Sequence, residues 1–330
     1  MKVGVIGAGA WGTALAITAY RAHNAVRLWA REENVVSQIN SDHQNIFLPD
    51  VILPPEIVAT TDLQSLIEWA DIVLLVSPAQ FTRSMLKTIK PIWRPEIPLV
   101  LCAKGIEVAT GKLLSEVVAD VMPDTHLAVL SGPGFAAEVA KQKPTAVTIA
   151  AESEELANEL VNTLGSTYFR PYSSTDVITP QICGSLKNVF AIAAGIVEGH
   201  NLGDNARAAL IARGLSEMAR FAKALGGHMH TVLGLSGVGD LVLTASSKQS
   251  RNYALGLEIG KSGCAKPILE SSTKTVEGVA TTEAVMKRAQ IMGLDMPICS
   301  VLDKILFHDA TLDEGLNDLL LRPFRSESIS

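Results

Sequence analysis

The chain has 330 residues, 48% hydrophobic and 19% charged, with a formal net charge of -6. That length predicts two domains, and that composition supports a large core and excludes global disorder. The acidic balance argues against a nucleic-acid surface or a general attraction to anionic lipid, although a local basic pocket remains compatible with it.

Strand-like apolar runs at residues 3–6, 26–29, 72–77, 99–103 and 127–130 are nearly unbroken, as in parallel strands covered on both faces. Between them, residues 11–22, 62–69 and 113–121 carry helical spacing. Two more strands, 146–150 and 168–171, flank a helix at 154–164. This βαβ rhythm predicts a doubly wound parallel sheet. The texture changes near Pro180: residues 181–226 are Ala-rich without a strand pattern, and helices follow at 252–260 and 281–292. The expected plan is an α/β domain over 1–182 joined to an all-α domain over 183–330. Cys102, Cys183, Cys264 and Cys299 form no CxxC pair and stand apart from His at metal-ligand spacing. No metal site is therefore expected, and reduced thiols suit a cytoplasmic protein. No leader peptide is expected, because Met1-Lys2 runs straight into the first strand, and the longest apolar runs are too short to span a bilayer.

Gly7-Ala8-Gly9-Ala10-Trp11-Gly12 is a GxGxxG that ends the first strand and opens the first helix. In that context it is the fingerprint of a Rossmann-type dinucleotide site: Gly7 makes the turn, Gly9 admits a pyrophosphate, and Gly12 packs helix on strand. The helix N-terminus supplies free N–H groups to the phosphates. Past the second strand the chain reads Arg31-Glu32-Glu33. Arg31 can pair with a 2′-phosphate, whereas Glu32 or Glu33 can serve a 2′-hydroxyl. The expectation is NADP(H) in preference, with NAD(H) as the alternative.

Three polar clusters, at Lys104, at Lys187 and from Asp240 to Asn252, interrupt apolar surroundings. Lys104 ends the strand at 99–103, where open α/β sheets bind ligands; the competing reading is a plain strand-end charge. Lys187 lies among small and apolar residues, where a desolvated ammonium can act as acid or base; the competing reading is a surface lysine at a helix start. Asp240 follows Gly237-Val238-Gly239 and can hold an ammonium or a substrate hydroxyl, or else cap a helix. Ser250-Arg251-Asn252 opens a helix, so N–H groups, a guanidinium and an amide can converge on a phosphate, unless the serine merely caps.

Together these segments resemble the NAD(P)-dependent glycerol-3-phosphate dehydrogenase family, its bacterial type in particular. The marks are GAGAWGTALA (7–16), CAKGIE (102–107), LSGPGFAAEVA (130–140), GSLKNVFAIAAGIVEGHNLGDNARAALIARGLSEM (184–218), GLSGVGDLVLTASSKQSRN (234–252) and VEG (276–278). The resemblance implies hydride transfer between NAD(P)H and dihydroxyacetone phosphate to give sn-glycerol 3-phosphate, a phospholipid precursor. It implies Lys187 as catalytic acid/base, and Lys104, Gly132, Asp240, Ser250, Arg251 and Asn252 around the substrate. Gly7, Gly9, Ala10, Trp11, Gly12, Arg31, Lys104, Ala136, Arg251 and Glu277 are implied around the nucleotide. A small-molecule partner, no membrane span and a homodimer go with it. Ala10 and Gly134 depart from the family pattern, which has Ser at the first position and Ser or Thr at the second. Both departures remove a hydroxyl. A β-hydroxyacid dehydrogenase shares the two-domain plan and a catalytic lysine, but its pocket takes a carboxylate; Ser250-Arg251-Asn252 favours a phosphate ester. A silent nucleotide sensor on the same fold has no need of Lys104, Lys187 and Asp240 together.

Overall fold

Ile72, Val73, Leu74 and Leu75 are all fully buried, as a strand covered on both faces must be. The computed structural model describes residues 1–271, 276–324 and 326. Its strands are β1 (Lys2–Ile6), β2 (Ala25–Trp29), β3 (Val58–Thr60), β4 (Ile72–Leu75), β5 (Leu99–Leu101), β6 (Leu127–Ser131), β7 (Thr145–Ala151) and β8 (Phe169–Ser174). They form one sheet in the order β3-β2-β1-β4-β5-β6-β7-β8. The first half of the chain adds helices α1 (Ala10–Arg21), α2 (Glu33–Asp42), α3 (Leu63–Trp69), α4 (Thr82–Ile89), α5 (Leu114–Val121), α6 (Ala136–Ala140) and α7 (Glu154–Leu164). Ile72 and Leu74 join one core with residues of α1, α2, α6 and α7. Val73 and Leu75 join another with residues of α3, α4 and α5. The sheet is therefore doubly wound.

The sheet is parallel throughout except at one pair. β7 runs antiparallel to β6, and β8 runs parallel to β7. The only helix between β6 and β7 is α6, five residues long. At about 1.5 Å per residue it is too short to carry the chain back along a strand, so β7 pairs in the return direction. The sequence reading also lacks β3, a three-residue edge strand with Val58 half exposed, whose apolar run is only Ile57-Val58-Ala59.

The chain divides into two compact units, Met1–Lys104 with Leu114–Val177, and Gly105–Leu113 with the chain from Ile178. The second unit contains α8 (Ile178–Gly199), α9 (Asp204–Ala224), α10 (Met229–Val232), a π-helical turn (Leu235–Gly239), α11 (Asp240–Ala245), α12 (Arg251–Ser262), α13 (Lys266–Ser271), α14 (Glu277–Ile291), α15 (Pro297–Phe307) and α16 (Leu312–Leu320). Among the described residues α8 alone is long and apolar enough to cross a membrane, and it is buried inside this unit as its core helix. It packs against α9, α11, α12 and α14. The α8–α12 contact depends on glycine. A Cβ at Gly256 would lie 2.0 Å from the Ile192 carbonyl oxygen, and one at Gly195 would lie 2.2 Å from that of Tyr253. The two backbones therefore touch, running in the same direction, and this seats the start of α12 beside the middle of α8.

Glu217 on α9 is 1% exposed, yet its carboxylate accepts hydrogen bonds from the Ile298 N–H at 2.7 Å and the Cys299 N–H at 3.3 Å. It thereby satisfies orphan donors at the start of α15, where Pro297 occupies the first turn. Burial pushes its carboxyl up to about 7, against the opposing pull of those N–H groups and Arg220. A carboxyl raised on folding binds its proton more tightly in the folded state. The stability it adds is full below its ordinary value near 4.5 and is lost as pH rises through about 7. Across that window the loss is on the order of 3 kcal/mol. The denaturation midpoint should fall between about pH 5 and pH 8, and Glu217→Gln should remove that component of the slope. Identical pH profiles for the two proteins would refute it.

Candidate active site

The glycine loop has the local geometry its residues were chosen for. Gly7 sits at φ +118°, a conformation L side chains rarely adopt. A Cβ at Gly12 would lie 1.8 Å from the Gly7 carbonyl oxygen, so only glycine allows α1 to pack here. A Cβ at Gly9 would meet nothing within 4 Å. Helix α1 begins at Ala10 with no side-chain cap and no acidic residue in its first turn. Its leading N–H groups and positive dipole end thus suit an anion, and the open flank at Gly9 fits the pyrophosphate of a dinucleotide. Trp11 packs on this core with its indole N–H buried and unpartnered. Its ring lies 3.4 Å from where a Cβ on Gly134 would stand. A side chain at 134 would enter the space bounded by Trp11, Val139 and Thr145.

Arg31 is exposed beyond β2 and pairs with Glu32, Nη2 to Oε1 at 2.7 Å. Its guanidinium reaches solvent, but a carboxylate already holds it. Lys104 follows β5, and its ammonium donates to the Gly132 carbonyl at 2.9 Å, just past β6. Gly132 is at φ +142°, and a Cβ there would lie 2.9 Å from the Val147 Cα. Lys104 and Gly132 therefore meet at the carboxyl edge of adjacent parallel strands, where open α/β sheets bind ligands. Ala136 opens α6 close by in sequence and packs on the same core as Trp11.

In the second unit the structure brings Lys187 and Asp240 together. Lys187 lies well inside α8, so the reading of it as a surface lysine at a helix start does not hold. Its Nζ donates to Asp240 Oδ1 at 2.6 Å and to Thr244 Oγ1 at 3.1 Å. Thr244 Oγ1 in turn donates to the Asp240 carbonyl at 2.6 Å. The Lys187 and Asp240 side chains are 10% and 1% exposed. Asp240 is the first residue of α11, and the cap position belongs to Gly239, so the carboxylate does not cap the helix. Thr244 escaped the sequence reading, although its spacing of four from Asp240 puts both on one helix face.

Ser250 does cap α12, its Oγ accepting from the Tyr253 N–H at 3.3 Å. Asn252 is 8% exposed; its amide donates to Asn188 Oδ1 at 2.9 Å and accepts from the Gly278 N–H at 2.9 Å. Asn188, next to Lys187, is a second residue the sequence reading missed. A Cβ at Gly278 would lie 2.6 Å from Asn252 Oδ1, which explains the glycine of Val276-Glu277-Gly278, with Glu277 opening α14. Arg251 is exposed at the first position of α12, a helix with no acidic residue in its first turn. A cation there opposes the helix dipole, so an anion bound at that end relieves the conflict. Lys187, Asp240 and the Ser250-Arg251-Asn252 corner are thus linked through adjacent residues of α8.

Comparison with known proteins agrees in both units. A family model described as NAD-dependent glycerol-3-phosphate dehydrogenase N-terminus matches residues 2–157. The corresponding C-terminus model matches residues 176–317. A protein of Rhodospirillum rubrum named glycerol-3-phosphate dehydrogenase (NAD(P)+) is 49% identical over 98% of this chain and 93% of its own. One of the same name from Maricaulis maris is 47% identical over 99% of this chain and 98% of its own. The crystal structure of glycerol-3-phosphate dehydrogenase from Coxiella burnetii superposes with a TM-score of 0.91 at 37% identity, covering 97% of this chain and 99% of that one. With both halves matched in order, the chain belongs to the NAD-dependent glycerol-3-phosphate dehydrogenase family.

Proposed function

We propose that this protein reduces dihydroxyacetone phosphate to sn-glycerol 3-phosphate, reversibly, using NADP(H) in preference to NAD(H). The observation that carries the reading is the buried Lys187–Asp240 pair beside the anion-ready start of α12. The nicotinamide supplies the hydride. Lys187 holds the proton at Nζ and delivers it to the carbonyl oxygen as negative charge develops there. Asp240 favours the ammonium form, and Thr244 fixes the direction of Nζ. Arg251, Asn252, Ser250 and the α12 N-terminus hold the ester phosphate, and Lys104 and Gly132 complete the substrate contacts. Gly7, Gly9, Ala10, Trp11, Gly12, Arg31, Lys104, Ala136, Arg251 and Glu277 hold the nucleotide. The nucleotide domain expected over 1–182 is proposed to be the first unit and the substrate domain expected over 183–330 the second, with the boundary drawn at 177/178 so that α8 stays whole. A homodimer is proposed from the general frequency of such assemblies. A cytoplasmic location, supplying phospholipid synthesis, is consistent with four cysteines that are all unpaired.

One assay tests this reading, following reduced-nicotinamide absorbance. The wild-type protein should oxidise NADPH with dihydroxyacetone phosphate and barely with dihydroxyacetone. Arg251→Ala should raise KM for the phosphate ester by about 10- to 150-fold, the worth of a charged hydrogen bond, and Arg251→Lys should raise it less. Lys187→Ala should lower kcat by about 10²–10⁴-fold with nucleotide affinity kept. Arg31→Ala should weaken NADPH more than NADH. Equal use of the two ketones, or near-normal turnover by a folded Lys187→Ala protein, would overturn the assignment.

A further inference from the structure

Asn45 lies between α2 and β3, in a segment with no helical or strand pattern, and is 1% exposed. Its amide nitrogen donates to the Ala8 carbonyl at 2.9 Å and to Thr13 Oγ1 at 2.8 Å. Its amide oxygen accepts from the Phe47 N–H at 3.0 Å. The segment that carries it is itself closed. The Leu48 N–H donates to the Asn45 carbonyl and the Leu53 N–H to the His43 carbonyl, both at 2.8 Å. Leu48, Val51 and Leu53 are buried in the core that also holds α1. Asn45 is thus a fixed strap behind the glycine loop, reaching both the loop and the first turn of α1.

We propose that Asn45 is a positioning residue for the nucleotide: by holding the Ala8 carbonyl inward it turns the Gly9 N–H outward for the phosphates. Ala8 C=O and Gly9 N–H belong to one peptide unit, and in a trans peptide they point in opposite directions. Pinning the first toward Asn45 aims the second away from it, at the residue whose flank is open. The same bond neutralises a carbonyl that would otherwise swing toward an incoming anion. An aspartate of equal size cannot serve, because its ionised carboxylate only accepts and would face the Ala8 carbonyl, which also only accepts. The contact concerns the phosphate loop alone, so both nucleotides depend on it equally, unlike the contact proposed for Arg31.

The inference rests on the glycine loop being the nucleotide site, and the experiment separates the two. Dissociation constants for NADH and NADPH are measured by fluorescence with the wild type, Asn45→Ala, Asn45→Asp and Gly9→Val. Steady-state kinetics are run at saturating cofactor. Both Asn45 variants should raise the two dissociation constants by the same factor, about tenfold. Their kcat and KM for dihydroxyacetone phosphate should stay within about twofold of wild type, a split that a general loosening of the fold does not produce. Asn45→Asp, equal in size, carries the test if Asn45→Ala does not fold. Wild-type affinity in an Asn45 variant, with binding lost in Gly9→Val, would overturn the positioning role and keep the nucleotide site. Wild-type affinity in Gly9→Val would overturn both.

Discussion

The ion pair between Lys187 and Asp240 is the constraint around which the helical unit is organised. Removing an ammonium and a carboxylate from water costs several kcal/mol each, and only close pairing with further hydrogen bonds offsets that. The structure meets the requirement with a 2.6 Å contact and the hydroxyl of Thr244. It does so on α8, a mostly apolar helix buried along nearly its whole length. A stable hydrophobic core would not need a charged pair there, and apolar residues of similar volume commonly match or exceed such a pair in stability. The proton transfer proposed for Lys187 accounts for the pair: a lysine already desolvated and hydrogen-bonded holds its proton in one direction.

The rest of the unit follows from placing α8 correctly. Gly195 and Gly256 let α12 lie directly on α8. That contact brings Asn252 to Asn188, and Asn188 is the residue next to Lys187. Gly278 then fits where a methyl group would strike the Asn252 amide. Glycine at these positions sets the spacing between Lys187 and the corner carrying Arg251. In the first unit the same economy of side chains applies. Gly7, Gly9 and Gly12 clear the space, and the Asn45 amide bonds to the loop at the Ala8 carbonyl.

The sequence revealed what is local and missed what is assembled by the fold. GxGxxG at 7–12 is legible because its chemistry lies within six consecutive residues after a strand. Lys187, Asp240 and Arg251 are legible because charge stands out in apolar or glycine-rich runs. Asn45 was invisible: it is one polar residue in an irregular segment, and its partners Ala8 and Thr13 lie more than thirty residues away. Asn188 and Thr244 were hidden by their neighbours, which carry the stronger signals. The direction of β7 could not be read either, because its alternation and apolar content suit either orientation. Only the shortness of α6 decides it.

The proposed mechanism requires that Asp240 keep Lys187 protonated for delivery to the substrate carbonyl. The direct measurement is the pH dependence of kcat for reduction of dihydroxyacetone phosphate, in the wild type and in Asp240→Asn. Removing the carboxylate lowers the proton affinity of Lys187, so the alkaline limb should move to lower pH by about one to three units. An alkaline limb that stays in place while the rate changes uniformly with pH, or that moves to higher pH, would contradict the account.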